Sequence, residues 1–271
     1  VNIWVPGEGT EVVLPTQFVL PAGPRRGVVL NLAEYRMYYY PEPEEGKPAY
    51  VMTYPISIGR MDWETPLGMT QVISKVRNPT WYPPESVRKE HAADGRPLER
   101  IVPPGPDNPL GKYAMRLGLP GYLIHGTNRP SGVGMRVTHG CVRMFPEDIE
   151  YLFGNIDIST PVRIINDPIK IGWEGERLVI EVHPVLEAAM PEPEESEEPG
   201  EEAPVSDGNP AEDYVVKDPL TYVTEQFIVA TDSRAGVLDW QLVEEIVERA
   251  DGVPAIVGEQ IKNAATSAAF Q

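Results

Sequence analysis

The stretch HGTNRPSGVGMRVTHGCVRM, His125 to Met144, decides the reading of this chain. It holds the only cysteine, Cys141, two of the four histidines, four glycines and three arginines. A lone cysteine is most simply a small buried hydrophobe, but its neighbours here argue otherwise. A thiol attacks well only as thiolate, and with an ordinary pKa of about 8.5 it needs a base or a positive field beside it near pH 7. His139 stands two residues before Cys141 and His125 sixteen before it. Side chains at i and i+2 of a strand share a face. A strand ending at LIHG (123–126) beside a strand or turn at THGCVRM (138–144) would therefore bring His125 to Cys141 across a sheet. The intervening GTNRPSGVGMRV has the length and glycine content of a hairpin-like excursion.

Gly140 lets backbone approach a ligand closely, so the N–H groups of Gly140 and Cys141 could form an oxyanion hole. Arg143 adds a fixed cation and suits a carboxylate-bearing substrate. Together these parts make a Cys/His acyl-transfer site in which either histidine can serve as base. The rival reading is zinc, with His125, His139 and Cys141 as three ligands and one open position. No acidic residue lies between Leu123 and Pro146 to act as its base, so no metal and no cofactor are assigned.

Outward from the motif the chain reads as short strands bounded by Gly, Pro or Asn: 27–41, 49–59, 69–76, 113–118 and 121–126 before or within it, and 160–166 and 177–186 after it. Such strands predict a mainly β, sandwich-like domain. Thr65–Gly68, TPLG, reads as a turn, and Tyr38–Tyr40 as strand packing. Residues 79–111 interrupt the strands with a long, polar, proline-rich loop, of the kind that is functional or disordered. Pro146, the acids Glu147 and Asp148, and Gly154 predict a short helix after the motif. His91 and His183 have no partner pattern and read as surface or edge positions.

The formal net charge of −18 excludes nucleic acid and anionic membranes as partners. Ten acids and no base fall between Met190 and Asp213, which leaves −8 for the rest. That segment, 190–213, predicts an acidic Pro/Glu-rich linker that cannot bury enough to order itself. Beyond it, 214–271 reads as a small, mostly helical appendage, with Trp240, Val243, Ile246 and Val247 on one face and Asp239 as N-cap. No stretch approaches the roughly 18 apolar residues of a membrane span. The chain opens on Val1 without methionine and reads as a processed or trimmed product.

The motif HGTN…THGCVRM resembles that of the YkuD-type L,D-transpeptidases: a His-Gly pair, a spacer, then Ser/Thr-His-Gly-Cys, a hydrophobic residue and Arg or Asn. Upstream, YPISIGRMDWETPLGMTQVISKVRNPTWYPP, NPLGKYAMRLG and YLIHGTN follow in the family's order. The resemblance covers residues 24–167 and implies a β-sandwich-like catalytic domain with a capping helix. It makes Cys141 the nucleophile and His125 the base, with the Gly126 carbonyl orienting the histidine. Thr138, His139, Gly140 and Arg143 would form the oxyanion and substrate-binding edge. Trp81, Tyr82 and Arg136 are candidate substrate contacts. The implied donor is a peptidoglycan tetrapeptide stem that loses D-Ala to a Cys141 thioester. The acceptor would be an amine, from an outer-membrane lipoprotein or other protein, or from the diaminopimelate of another stem. An L,D-carboxypeptidase using water and a non-catalytic wall-binding module are the alternatives. The resemblance also implies carbapenem sensitivity, a role in cell-wall biogenesis and cell shape, and a periplasmic location. Residues 1–23 resemble the stretch that follows a LysM module, 168–189 read as a strand extension, and the region from 214 resembles the C-terminal appendage of lipoprotein-anchoring members.

Overall fold

The computed structural model describes residues 7–11, 13, 15–60, 65–186 and 218–261. The acidic segment 190–213 lies outside them. Two compact units result: described residues of 23–167 with 185–186, and those of 7–22, 168–184 and 218–261.

The first unit is built on β1 (Gly27–Asn31) and β2 (Arg36–Tyr40), an antiparallel pair whose connection turns through Tyr35 at φ 51°. β3 (Met52–Pro55) flanks β2. On the other side of β1 lies β10 (Pro161–Ile165), parallel to it, and then β5 (Gly68–Arg77). β5 pairs β10 over residues 68–71 and β6 (Tyr113–Leu117) over 72–77, with a register break between Val72 and Ser74. A bulge in a ten-residue strand bends it, so one strand serves two halves of a curled sheet. This is the physical content of the expected sandwich-like fold. Beyond β6 come β7 (Leu123–His125) and β9 (Val142–Arg143), completing the order β3-β2-β1-β10-β5-β6-β7-β9. A separate parallel pair joins β4 (Ile58–Gly59) to β8 (Arg136–Thr138). The stretch after His125 is therefore a crossover, with β8 pairing away from β7, and not the hairpin its glycines suggest.

Helix α2 (Pro146–Asn155) starts at the expected proline and runs one residue past Gly154. It seals the core with Ile149 and Leu152 against Met115, Ile124, Val142 and Met144, all at most 1% exposed. Full burial of each such side chain stabilises the fold by about 1.5–3 kcal/mol. The proline-rich loop contains a helix that the sequence reading does not foresee, α1 (Glu85–Ala93).

The second unit joins described residues that the sequence reading kept apart, those of 168–184 and those of 218–261. β11 (Ile169–Glu174) and β12 (Arg177–Val182) form a hairpin, and β14 (Ala255–Gln260) and β13 (Gly236–Leu238) extend the same sheet. The helices α3 (Pro219–Thr231) and α4 (Trp240–Arg249) stand where helical spacing placed them, with Asp239 capping α4 through the Leu242 N–H. Val223, Val243 and Ile246 cover the alternating residues Ile169, Ile171, Leu178 and Ile180. Neither segment has a complete core alone, which is why they join. On the other sheet face Lys170 opposes Glu181, and their buried charges meet at 2.9 Å. His183 departs from its surface reading: its Nε2 lies 2.7 Å from Glu181.

Candidate active site

β7 and β9 are parallel neighbours, with Ile124 opposite Val142 and His125 opposite Arg143. The pleat then sorts the side chains. Ile124, Val142 and Met144 enter the core. Leu123, His125 and Arg143 fall on the other face. Cys141 immediately precedes β9, and its Sγ lies 3.7 Å from Gly121 O, two residues before β7. Short as it is, β9 is held on both sides. Met144 N–H donates to His125 O at 2.9 Å, and Arg143 exchanges backbone bonds with Ser57 at 2.8 and 3.0 Å.

His125 is 4% exposed, and its Nδ1 lies 2.6 Å from Gly126 O. A carbonyl only accepts, so Nδ1 carries the hydrogen and the Nε2 lone pair is left to take a proton. Close backbone approach fixes that carbonyl. A Cβ at Gly126 would stand 3.1 Å from Ile149 Cγ2, and one at Gly111, where φ is +65°, 2.8 Å from Thr127 N. Burial first, then the Arg143 charge, push His125 down to about 4, against the opposing pull of the Gly126 carbonyl. Burial pushes the Cys141 thiol up, against a backbone hydrogen bond at Leu123 and Arg143. At neutral pH the pair thus rests as thiol and neutral imidazole.

The turn before Cys141 is tied from three sides. Thr138 Oγ1 donates to Cys141 O at 2.6 Å. Gly140 takes φ +89°, a left-handed conformation open to glycine, and its carbonyl accepts from Thr65 Oγ1 at 2.8 Å. Thr65, itself buried, accepts from Gly59 N. In a trans peptide the N–H points opposite the carbonyl, so the Cys141 N–H faces away from Thr65. His139 turns elsewhere. Its Nε2 lies 2.8 Å from Glu90 on α1, whose other oxygen accepts from Arg60 Nη2 at 2.8 Å. These two hydrogen bonds hold the Glu90 carboxyl below its usual range. Among the described residues the ligand atoms of His125, His139 and Cys141 do not gather within 4.8 Å of one another.

Residues 25–164 match the family model described as the L,D-transpeptidase catalytic domain, YkuD. The chain belongs to the L,D-transpeptidase family. It is 46% identical over 192 residues to the probable L,D-transpeptidase YcfS of Escherichia coli, covering 69% of this chain and 58% of that protein. It is 38% identical over 257 residues to the probable L,D-transpeptidase ErfK/SrfK of Salmonella typhimurium, covering 94% and 74%. A crystal structure of L,D-transpeptidase 3 from Mycobacterium tuberculosis with a faropenem-derived adduct is 22% identical, with a TM-score of 0.38 over 53% of this chain and 61% of that one. The chain thus spans 58% and 74% of the length of these two curated relatives.

Within this L,D-transpeptidase domain the remaining anticipated residues take varied places. Arg136 Nε donates to Gly59 O at 3.1 Å, tying β8 to β4. Trp81 closes the neck of the α1 excursion through paired backbone bonds with Val102, both 2.9 Å, and Tyr82 beside it is 67% exposed. Asn108 locks the same neck by donating to Pro79 O at 2.8 Å. Sequence reasoning missed Glu90, Arg60 and Thr65. Thr65 sits in TPLG, read as a plain turn. Glu90 sits on the unforeseen helix, although Pro83-Pro84-Glu85 before it and Gly95 after it are start and stop signals. No helix among the described residues is long and apolar enough to cross a membrane.

Proposed function

We propose that this domain is a cysteine-dependent L,D-transpeptidase acting on peptidoglycan tetrapeptide stems. The observation that carries the proposal is the parallel pairing of β7 and β9, which runs the segment holding Cys141 alongside a histidine whose Nδ1 is committed to Gly126 O. The Cys141 thiol gives its proton to His125 Nε2 as sulfur attacks the carbonyl of the L-centre, usually of diaminopimelate. The Cys141 N–H, turned away by the Thr65 anchor, and its Gly140 neighbour stabilise the oxyanion. The C–N bond breaks, His125 returns the proton to the leaving D-Ala amine, and a thioester remains. An incoming amine then gives a proton to His125, attacks the thioester carbonyl and releases the thiol. Because both partners rest neutral, the proton moves during attack and no standing thiolate–imidazolium pair is needed.

The acceptor amine is a lysine of an outer-membrane protein or the diaminopimelate of a second stem, and the substrate places the work in the periplasm. Incubation with a disaccharide-tetrapeptide, with and without a lysine-ended acceptor peptide, tests this by mass. Loss of D-Ala with joining to the peptide supports protein anchoring, and joining of two stems supports crosslinking. No mass change would reject the reading.

A further inference from the structure

In a chain with 41 acids and 23 Lys and Arg residues, several arginines have a carboxylate at hand. Arg60, Arg96, Arg177 and Arg249 all do. Arg143, two residues past the thiol, and Arg129 do not: among the described residues no carboxylate lies within 4.0 Å of either. Arg143 is the more unusual of the two, because its Nε is buried and has no hydrogen-bond partner. Burying a guanidinium without a counterion is costly, and a second like charge nearby adds to the cost. Burial and Arg129 both pull the Arg143 pKa down. The fold nevertheless holds both residues there. Arg143 stands opposite His125, two residues past Cys141. Arg129 opens the short 3-10 turn Pro130–Gly132, with its N–H on Thr127 Oγ1 at 2.9 Å. Gly132 pins that turn by accepting from Ser57 Oγ at 2.7 Å, and a Cβ there would lie 3.5 Å from Arg143 Nη1.

We propose that Arg143 and Arg129 form the subsite for the free terminal carboxylate of the residue that leaves the acyl donor. This rests on the function proposed above. Covalent geometry favours the terminal group over the side-chain carboxylates of a stem. The carboxyl carbon of the leaving residue is three bonds from the scissile carbonyl, at about 4 Å, and a guanidinium two residues along the strand from the nucleophile can reach it. Arginine's planar fork fits a carboxylate and has no such match in a neutral carboxamide. An anion seated there neutralises the pair of cations. It also leaves with D-Ala, restoring the positive field before the acceptor arrives.

The test compares three tetrapeptide donors by acylation of Cys141: one ending in free D-Ala, one in D-alaninamide, and one amidated only at the diaminopimelate side-chain carboxylate. The wild type should prefer the free acid over the terminal amide by at least about tenfold in kcat/KM, as expected for losing a charge-assisted hydrogen bond, and should accept the side-chain amide nearly as well as the free acid. Arg129→Gln should lower kcat/KM for the free acid and shrink the acid-to-amide ratio, an effect that a general loss of fold would not produce. Equal use of the terminal amide, an unchanged ratio in Arg129→Gln, or sensitivity confined to the side-chain amide would each overturn the subsite while leaving the transpeptidase reading intact. A wild type that no donor acylates would reject both.

Discussion

His125 should hold its proton-accepting form far below the pH at which a free histidine loses it. The ordinary histidine value is about 6.5. Here it falls to about 4, with burial as the first cause and the Arg143 charge as the second. That gap corresponds to roughly 3 kcal/mol. The acid limb of kcat/KM for acylation should accordingly lie near pH 4, with a plateau through pH 5–7. Stability follows the same linkage. Between pH 6.5 and 4 the unfolded chain takes up a proton that folded His125 refuses, so this residue destabilises the fold progressively as pH falls, by up to roughly 3 kcal/mol once pH is below 4. Removing the Arg143 charge by Arg143→Gln should raise the His125 pKa, yet leave it below 6.5 because burial remains. An NMR titration of the His125 imidazole in both proteins reads the two values directly. A wild-type value near 6.5, or a lower value in Arg143→Gln, would refute the electrostatic account of the site.

Three further outcomes follow from the packing. Thr65→Val removes the hydroxyl that bridges Gly59 N and Gly140 O; it should cost about 2–4 kcal/mol in denaturant unfolding and lower the acylation rate at least tenfold, because the peptide before Cys141 loses its anchor. Lys170→Met leaves Glu181 buried without that cation and should cost about 3–5 kcal/mol in thermal unfolding, and adding Glu181→Leu should not restore it, because the buried Val19 N–H and His183 Nε2 then lose their acceptor. Ala250→Gly should stabilise the second unit by about 0.5 kcal/mol in the same assay, since Ala250 ends α4 in the left-handed conformation at φ 42°.

What was legible in the sequence was local. Alternating or continuous apolar runs marked β1, β2, β5 and β6, Pro146 marked α2, and Asp239 marked the start of α4. The pairing of the segments that carry His125 and Cys141 was also readable, since β7 and β9 are neighbours with His125 opposite Arg143. What was not legible depends on distant partners. The parallel register of β7 and β9 needs β8 to pair with β4, and nothing between His125 and Cys141 announces that partner. Glu90 reaches His139 from 49 residues away. The strand 255–260 reads as the tail of a helical segment until β12 supplies its ladder. The lone cysteine and its glycines mark the candidate site; the sheet order states how it is held.

The most direct test is the protein itself after reaction. The domain would be mixed with a free-acid tetrapeptide stem without acceptor, quenched in acid, and its intact mass and modified peptide determined. The account predicts one added acyl group, a stem lacking D-Ala, on Cys141, absent in Cys141→Ala and strongly slowed in His125→Gln. Release of D-Ala at an undiminished rate by Cys141→Ala, with no protein-bound stem in the wild type, would contradict it.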